Sequence, residues 1–198
     1  MTIKVLLVIG SDKITNNLFR DFEEKFDNVT IVEDHSRNIV SSLKLVLKGR
    51  IPVLAAFLMF AANLVRKKLS YTKNRSIIRN NSDLLEIYND HKPEVMILFR
   101  AGLVITRRAF PKNSKIYNVH SAKLPKFGGL ASIYRALKSG DYSQCASLHV
   151  VTDKIDGGQV LLEVPYFLDP NKSYLENEEQ AYNAGIILLE NAIANDFS

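Results

Sequence analysis

At 198 residues the chain suits one domain that buries about 70% of its unfolded surface, and no linker-like stretch divides it. Its 46% hydrophobic and 24% charged residues exclude disordered and fibrous classes, and a net charge of +5, without a basic tail or interleaved aromatics, points to a solvated basic face rather than nucleic-acid binding. Cys145 is the only cysteine, so no internal disulfide or thiolate metal cluster can form, which fits a reducing cytoplasm. His35, His91, His120 and His149 have no metal-ligand spacing, and no metal is expected.

The chain opens directly on a strand-like apolar run, Ile3 to Ile9, rather than on a cleavable leader, so no secretion signal is expected. Gly10-Ser11 turns it. Leu18, Phe19, Phe22 and Phe26 recur at helical spacing through an acidic stretch and predict one amphipathic helix, followed by a strand at Val29 to Val32. Such a β-α-β start is the first half of an open α/β sheet, whose ligands sit beyond the carboxyl ends of the strands. Without Gly-x-Gly-x-x-Gly, no dinucleotide is implied.

Between Ser36 and Leu69 two helical patterns meet at Gly49-Arg50-Ile51-Pro52. The second, Ile51 to Val65, is notably apolar but shorter than the ~18–20 residues needed to span a bilayer. Lys48 and Arg50 before it and Arg66-Lys67-Lys68 after it would suit an interfacial helix. Burial in the fold or in a subunit contact is the commoner fate of such a run, and it is the expectation here, with no membrane association.

Asn81-Ser82-Asp83 supplies caps for a helix through Tyr88, which His91-Lys92-Pro93 ends. Glu94 to Phe99 is expected as the central strand. In the strand Ile116 to His120, alternation puts Asn118 and His120 on one side. Pro125 and Gly128-Gly129 break the chain before a helix from Ala131 to Lys138, and a strand at Ser147 to Thr152 carries His149. Asp153 to Gly158 is loop chemistry that presents Asp156 at a strand end. Val160 to Phe167 reads as a further strand, and Leu175, Ala181, Ala184, Ile187, Leu188 and Ala192 form a helical stripe between Ser173 and Asn195.

An amide, an imidazole and a carboxylate from separate strand ends suit carbonyl transfer without a serine or cysteine nucleophile. Alone, Asn-x-His is usually chance and Asp-Gly-Gly usually a turn. Together, Asn118-x-His120, Leu124-Pro125-x-x-Gly128-Gly129 and a His149 strand leading to Asp156-Gly157-Gly158 resemble the folate-dependent formyltransferase family, over about residues 93 to 195. That family includes glycinamide ribonucleotide, methionyl-tRNA and sugar N-formyltransferases. The resemblance implies a single domain over 1–198 with a Rossmann-like, three-layer α/β architecture around an open, mostly parallel sheet.

It also implies 10-formyltetrahydrofolate as donor and Asn118, His120 and Asp156 as catalytic residues. Asn118 and a protonated His120 would stabilise an oxyanion, with Asp156 supporting the charge. His149 reads either as a supporting partner or as a core histidine. Leu103, Val104 and Ile105, together with Thr152, Asp153 and Lys154, fall where the family holds folate, although Leu103 to Ile105 read equally as core. The sequence departs from the family at Ser121-Ala122-Lys123-Leu124-Pro125, usually Ser-Leu-Leu-Pro, and at Cys145, where many members have Gly.

The first turn, Gly10-Ser11-Asp12-Lys13, keeps one glycine and adds a carboxylate that opposes a phosphate, although Lys13 partly restores such a site. With the additional helical stretch after Ser36, this favours a nucleotide-linked amino sugar as the small-molecule amine acceptor, with glycinamide ribonucleotide as the alternative. A homodimer is compatible with the apolar run. A hydrolase passing formyl to water and a non-catalytic folate- or nucleotide-binding module remain open.

Overall fold

The structure, a computed structural model, describes residues 3–37, 39–69 and 74–197, apart from the side chains of 39–42. Val5–Gly10 (β1), Val29–Asp34 (β2), Ser76–Ile78 (β3), Val95–Phe99 (β4), Lys115–His120 (β5), Ser143–Val150 (β6) and Val160–Phe167 (β7) form one sheet in the order β3-β2-β1-β4-β5-β6-β7. β1 to β5 pair in parallel, and β6 and β7 are added antiparallel at one side. The helices are Lys13–Leu18 (α1), Phe22–Lys25 (α2), Ile39–Leu47 (α3), Val53–Val65 (α4), Asn81–His91 (α5), Ser132–Ser139 (α6) and Tyr174–Ala194 (α7).

Every residue of β1 is buried because both faces of the sheet are covered. Val5, Leu7 and Ile9 pack with Phe19, Phe22 and the Ala184, Leu188 and Ala192 side of α7, while Leu6 and Val8 pack with Leu84 and Tyr88 of α5. This is the Rossmann-like α/β architecture expected. The strand order reverses direction between β1 and β4, which opens a crevice at their carboxyl ends.

Three local expectations differ. The single helix through Leu18 and Phe26 is instead two short helices, α1 and α2. Phe19 leaves the helical path to sit edge-on against Phe99 of β4, with ring centroids 4.9 Å apart, so core packing outweighs helix continuity. The cap of α5 is Asn80, whose Oδ1 accepts from the Ser82 and Asp83 N–H groups at 2.8 and 2.9 Å. β3, too short to carry a pattern, was not foreseen.

The largest difference is α4. Ala55 and Ala62 are buried, whereas Val53, Phe57, Phe60 and Leu64 are between 63% and 74% exposed. At 3.6 residues per turn these four lie on one face, opposite the two alanines. The small face allows close approach to α7, where the buried Arg66 guanidinium donates to Glu178 at 3.0 Å and Glu179 at 3.2 Å. Of the two fates expected for this run, burial in the fold or in a subunit contact, the first therefore holds only for its alanine face.

Candidate active site

β5 and β6 run antiparallel with Asn118 opposite His149 and His120 opposite Ser147. Residues directly opposite in such a pair share a face, so two strands bring an amide and two imidazoles together at one sheet edge. Asp156 arrives from the loop after β6 in a left-handed conformation, φ +48°. The loop turns tightly because Gly158 lies against β6, and a Cβ built there would overlap the Val150 carbonyl oxygen.

The three predicted catalytic residues converge. Asn118 Nδ2 lies 3.0 Å from His149 Nε2 and 3.4 Å from Asp156 Oδ1. Asp156 Oδ2 is 3.4 Å from His120 Nδ1, and Asp156 Oδ1 is 3.3 Å from His149 Nε2. The Gly129 N–H donates to Asp156 Oδ2 at 2.7 Å. Burial alone would raise the Asp156 pKa, but His149, His120 and the Gly129 N–H together hold it at about 2, so the carboxylate is ionised. His149 is both fully inside and a partner of the site, so its two readings merge.

His120 sits between two acceptors, the Phe127 carbonyl at 2.9 Å from Nε2 and Asp156 beside Nδ1. A neutral ring donates to one of them, and an imidazolium donates to both. Burial nevertheless keeps its pKa below the usual 6.5, outweighing Asp156 and the Phe127 carbonyl. The resting ring is therefore held toward its neutral form.

Arg135 was missed by sequence reasoning. Its Nη2 donates to the carbonyls of Phe127 and Gly128 at 2.9 and 2.6 Å, and its Nε to that of Leu130 at 3.1 Å, pinning the Gly128-Gly129 turn from within α6. The only sequence signal is a cation six residues after a glycine pair.

The stretch after β4 is held from two sides. The buried Asp34 carboxylate, at the end of β2, accepts from the N–H groups of Gly102 and Leu103 at 2.5 and 2.7 Å, and Asn81 holds Val104 and Thr106 at 3.0 and 2.9 Å. Leu103 and Ile105 are half-buried beside Val151 on one core cluster, whereas Val104 is exposed. Thr152, Asp153 and Lys154 form an exposed turn, in which Asp153 joins Arg107, Arg108, Phe110 and Lys112 around a hollow of about 270 Å³. A hollow of about 350 Å³ lined by Lys92, Pro93 and Ser114 lies at the amino ends of β4 and β5, the opposite edge of the sheet from the site. Among the described residues, no group of three or more His, Cys, Asp or Glu is arranged to hold a metal ion.

On the other side of the crevice, Asp12 caps α1 through the Thr15 N–H at 3.0 Å and pairs with Arg100. Arg100 also donates to the Tyr182 hydroxyl and lies 3.4 Å from Glu178. The Asp12 charge set against a phosphate is thus neutralised within the protein. Gly10 is packed on the same residue: an added Cβ would stand 2.7 Å from the Arg100 carbonyl oxygen.

The family model described as formyl transferase matches residues 27–192. A phosphoribosylglycinamide formyltransferase of Escherichia coli is 31% identical over 134 residues, which cover 61% of this chain and 62% of that protein, so the chain spans less than two thirds of it. Among solved structures, a phosphoribosylglycinamide formyltransferase from Campylobacter jejuni superposes with a TM-score of 0.64 at 17% identity, covering 100% of this chain and 99% of that one. A 4-N formyltransferase from Francisella tularensis gives a TM-score of 0.64 at 11% identity, covering 97% and 68%. With that family match running through β2 to α7 and the motif residues gathered at one strand edge, the chain belongs to the formyl transferase family.

Proposed function

We propose that the chain transfers a formyl group from 10-formyltetrahydrofolate to the primary amine of a small metabolite, a nucleotide-linked amino sugar. The observation that carries this reading is the convergence of Asn118, His120 and Asp156 beside the crevice. The amine nitrogen attacks the formyl carbon, and the oxyanion that develops is met by Asn118. One Asn118 N–H is engaged by His149 at 3.0 Å, while the other is only loosely held by Asp156 at 3.4 Å and is the better donor to a new charge. Neutral His120 takes the amine proton at Nδ1, and the resulting imidazolium donates to Asp156 and to the Phe127 carbonyl. Breaking the bond from the formyl carbon to the folate nitrogen then requires a proton, which His120 returns. Leu103, Val104, Ile105, Thr152, Asp153 and Lys154 are the residues proposed to border the folate.

The sugar reading is supported by the α3–α4 hairpin, which packs on Leu130, Ala131 and Tyr134 directly after the Gly129 turn and so borders the acceptor side. A glycinamide ribonucleotide acceptor is favoured by one observation, the neutralisation of Asp12 by Arg100. Incubating the chain with 10-formyltetrahydrofolate and each acceptor tests the choice. Formylation of amino-sugar nucleotides supports the reading, formylation of glycinamide ribonucleotide alone replaces it, and formate release without an acceptor identifies water instead. In the productive assay His120→Ala should lower turnover by roughly 10² to 10⁴, with folate affinity little changed, and near-normal turnover would sink the mechanism.

A further inference from the structure

α4 turns its small side chains inward and its large apolar ones outward, the reverse of what a helix of an isolated domain does. Its alanine face meets the protein, and Val53, Phe57, Phe60 and Leu64 form a continuous outward stripe. Leu43 and Leu47 of α3 are exposed as well, so both arms of the hairpin present apolar side chains. A contiguous apolar surface of this kind marks an interaction site. What would cover it is decided by charge. The sequence contains no aspartate or glutamate between Asp34 and Asp83. Lys44 lies in the last turn of α3, Lys48 and Arg50 lie between the two helices, Lys67 and Lys68 follow α4, and all five are exposed.

A second copy of the chain fits poorly. Pairing the stripe with itself would bring two lysine- and arginine-bordered faces together, with no acidic residue in either hairpin to oppose them. A partner that is anionic around an apolar interior fits both features. α4 has the length and character to lie in such an interface, and no helix among the described residues is long and apolar enough to cross it.

We propose that the outer face of the α3–α4 hairpin docks on an anionic lipid bilayer, with Phe57 and Phe60 entering the acyl boundary and the flanking lysines and Arg50 at the headgroups. The hairpin also packs on Leu130, Ala131 and Tyr134, immediately after the Gly129 N–H that holds Asp156. Docking would therefore set the candidate active site at the membrane surface. The binding is independent of which amine is formylated.

The test is co-sedimentation of the full chain with phosphatidylcholine vesicles and with vesicles containing about 30 mol% phosphatidylserine, across a salt series. Binding to the anionic vesicles, weakened by salt and absent from the neutral ones, is expected. Replacing both phenylalanines, Phe57→Ser with Phe60→Ser, should lower the partition coefficient by about tenfold or more. Neutralising Lys44, Lys48, Arg50, Lys67 and Lys68 to Gln should lower it by about fivefold per charge at low salt. Both sets of side chains are exposed, so the far-UV spectrum and melting temperature report that the fold is kept. Wild-type protein that stays in the supernatant at low salt overturns the proposal. So does a dimer in sedimentation velocity that Phe57→Ser with Phe60→Ser dissociates while vesicle binding is absent, since the stripe then covers a second copy.

Discussion

His120 and Asp156 respond to acid in separate windows, and the signs differ in origin. Because burial holds the His120 pKa below 6.5, the unfolded chain takes up a proton that the folded chain refuses, and stability falls as pH drops below 6.5. Asp156 is depressed from 3.8 to about 2, so its contribution is present above the unfolded value and is lost as pH falls from about 4 toward 2. That second step is worth roughly 2 kcal/mol by the size of the shift. Urea unfolding of Asp156→Asn across this range should show the lower step flattened and the upper one retained. Turnover should fall on the acid side with an apparent pKa below 6.5, because in the proposed mechanism the base form of His120 accepts the amine proton. At Gly158 an alanine meets the Val150 carbonyl oxygen, and Gly158→Ala should destabilise by more than about 3 kcal/mol, whereas at Gly157 only the flexible Lys154 side chain must move. Comparing the two melting temperatures separates a steric requirement from general loop sensitivity.

Among the elements, α7 has the most explicit local instructions. Ser173 Oγ accepts from the Glu176 N–H at 3.3 Å while the Glu176 carboxylate accepts from the Ser173 N–H at 2.9 Å, a reciprocal cap. Ser173→Ala should cost about 1 kcal/mol and lower the melting temperature by about 2 to 4 °C. A larger cost is expected where α4 meets α7. Arg66→Met removes one partner of Glu178, a nearly inaccessible carboxylate left with Arg100 at 3.4 Å, and should destabilise by about 3 kcal/mol or more, read by urea unfolding. The same contact explains the orientation of α4. Once Arg66 is directed into α7 and Ala55 and Ala62 face inward, the large apolar side chains have only the outside left.

For the whole molecule, the sheet joins the two sides of the crevice in one body. β1 carries Gly10 and leads to Asp12, β4 leads to Arg100 and to the loop proposed to border the folate, and β5 and β6 carry Asn118, His120 and His149. Ligand binding should therefore stabilise the chain as one unit. A non-reactive folate analogue at one hundred times its Kd should add about 2.7 kcal/mol, raising a single calorimetric transition by several degrees. Two separate transitions, only one of them shifted, would show that the two sides unfold independently.

The parts legible in the sequence are those whose physics is local. The apolar run of β1, the cap of α7, the same-side alternation of Asn118 and His120, and the glycine-led turn that presents Asp156 all follow from neighbours within a few residues, and each is present in the fold. The parts that were not legible depend on contacts across the chain. Asp12 is neutralised by a residue 88 positions away, Arg66 finds Glu178 at a separation of 112, and Asp34 holds a loop 68 residues further on. The neutral state of resting His120 is likewise a result of burial, which no spacing of residues encodes. In α4 every residue but Asn63 is apolar, so its polarity has no periodicity to say which face turns inward. That choice was made by the burial of Ala55 and Ala62 and by the pairing of Arg66 with Glu178 of α7.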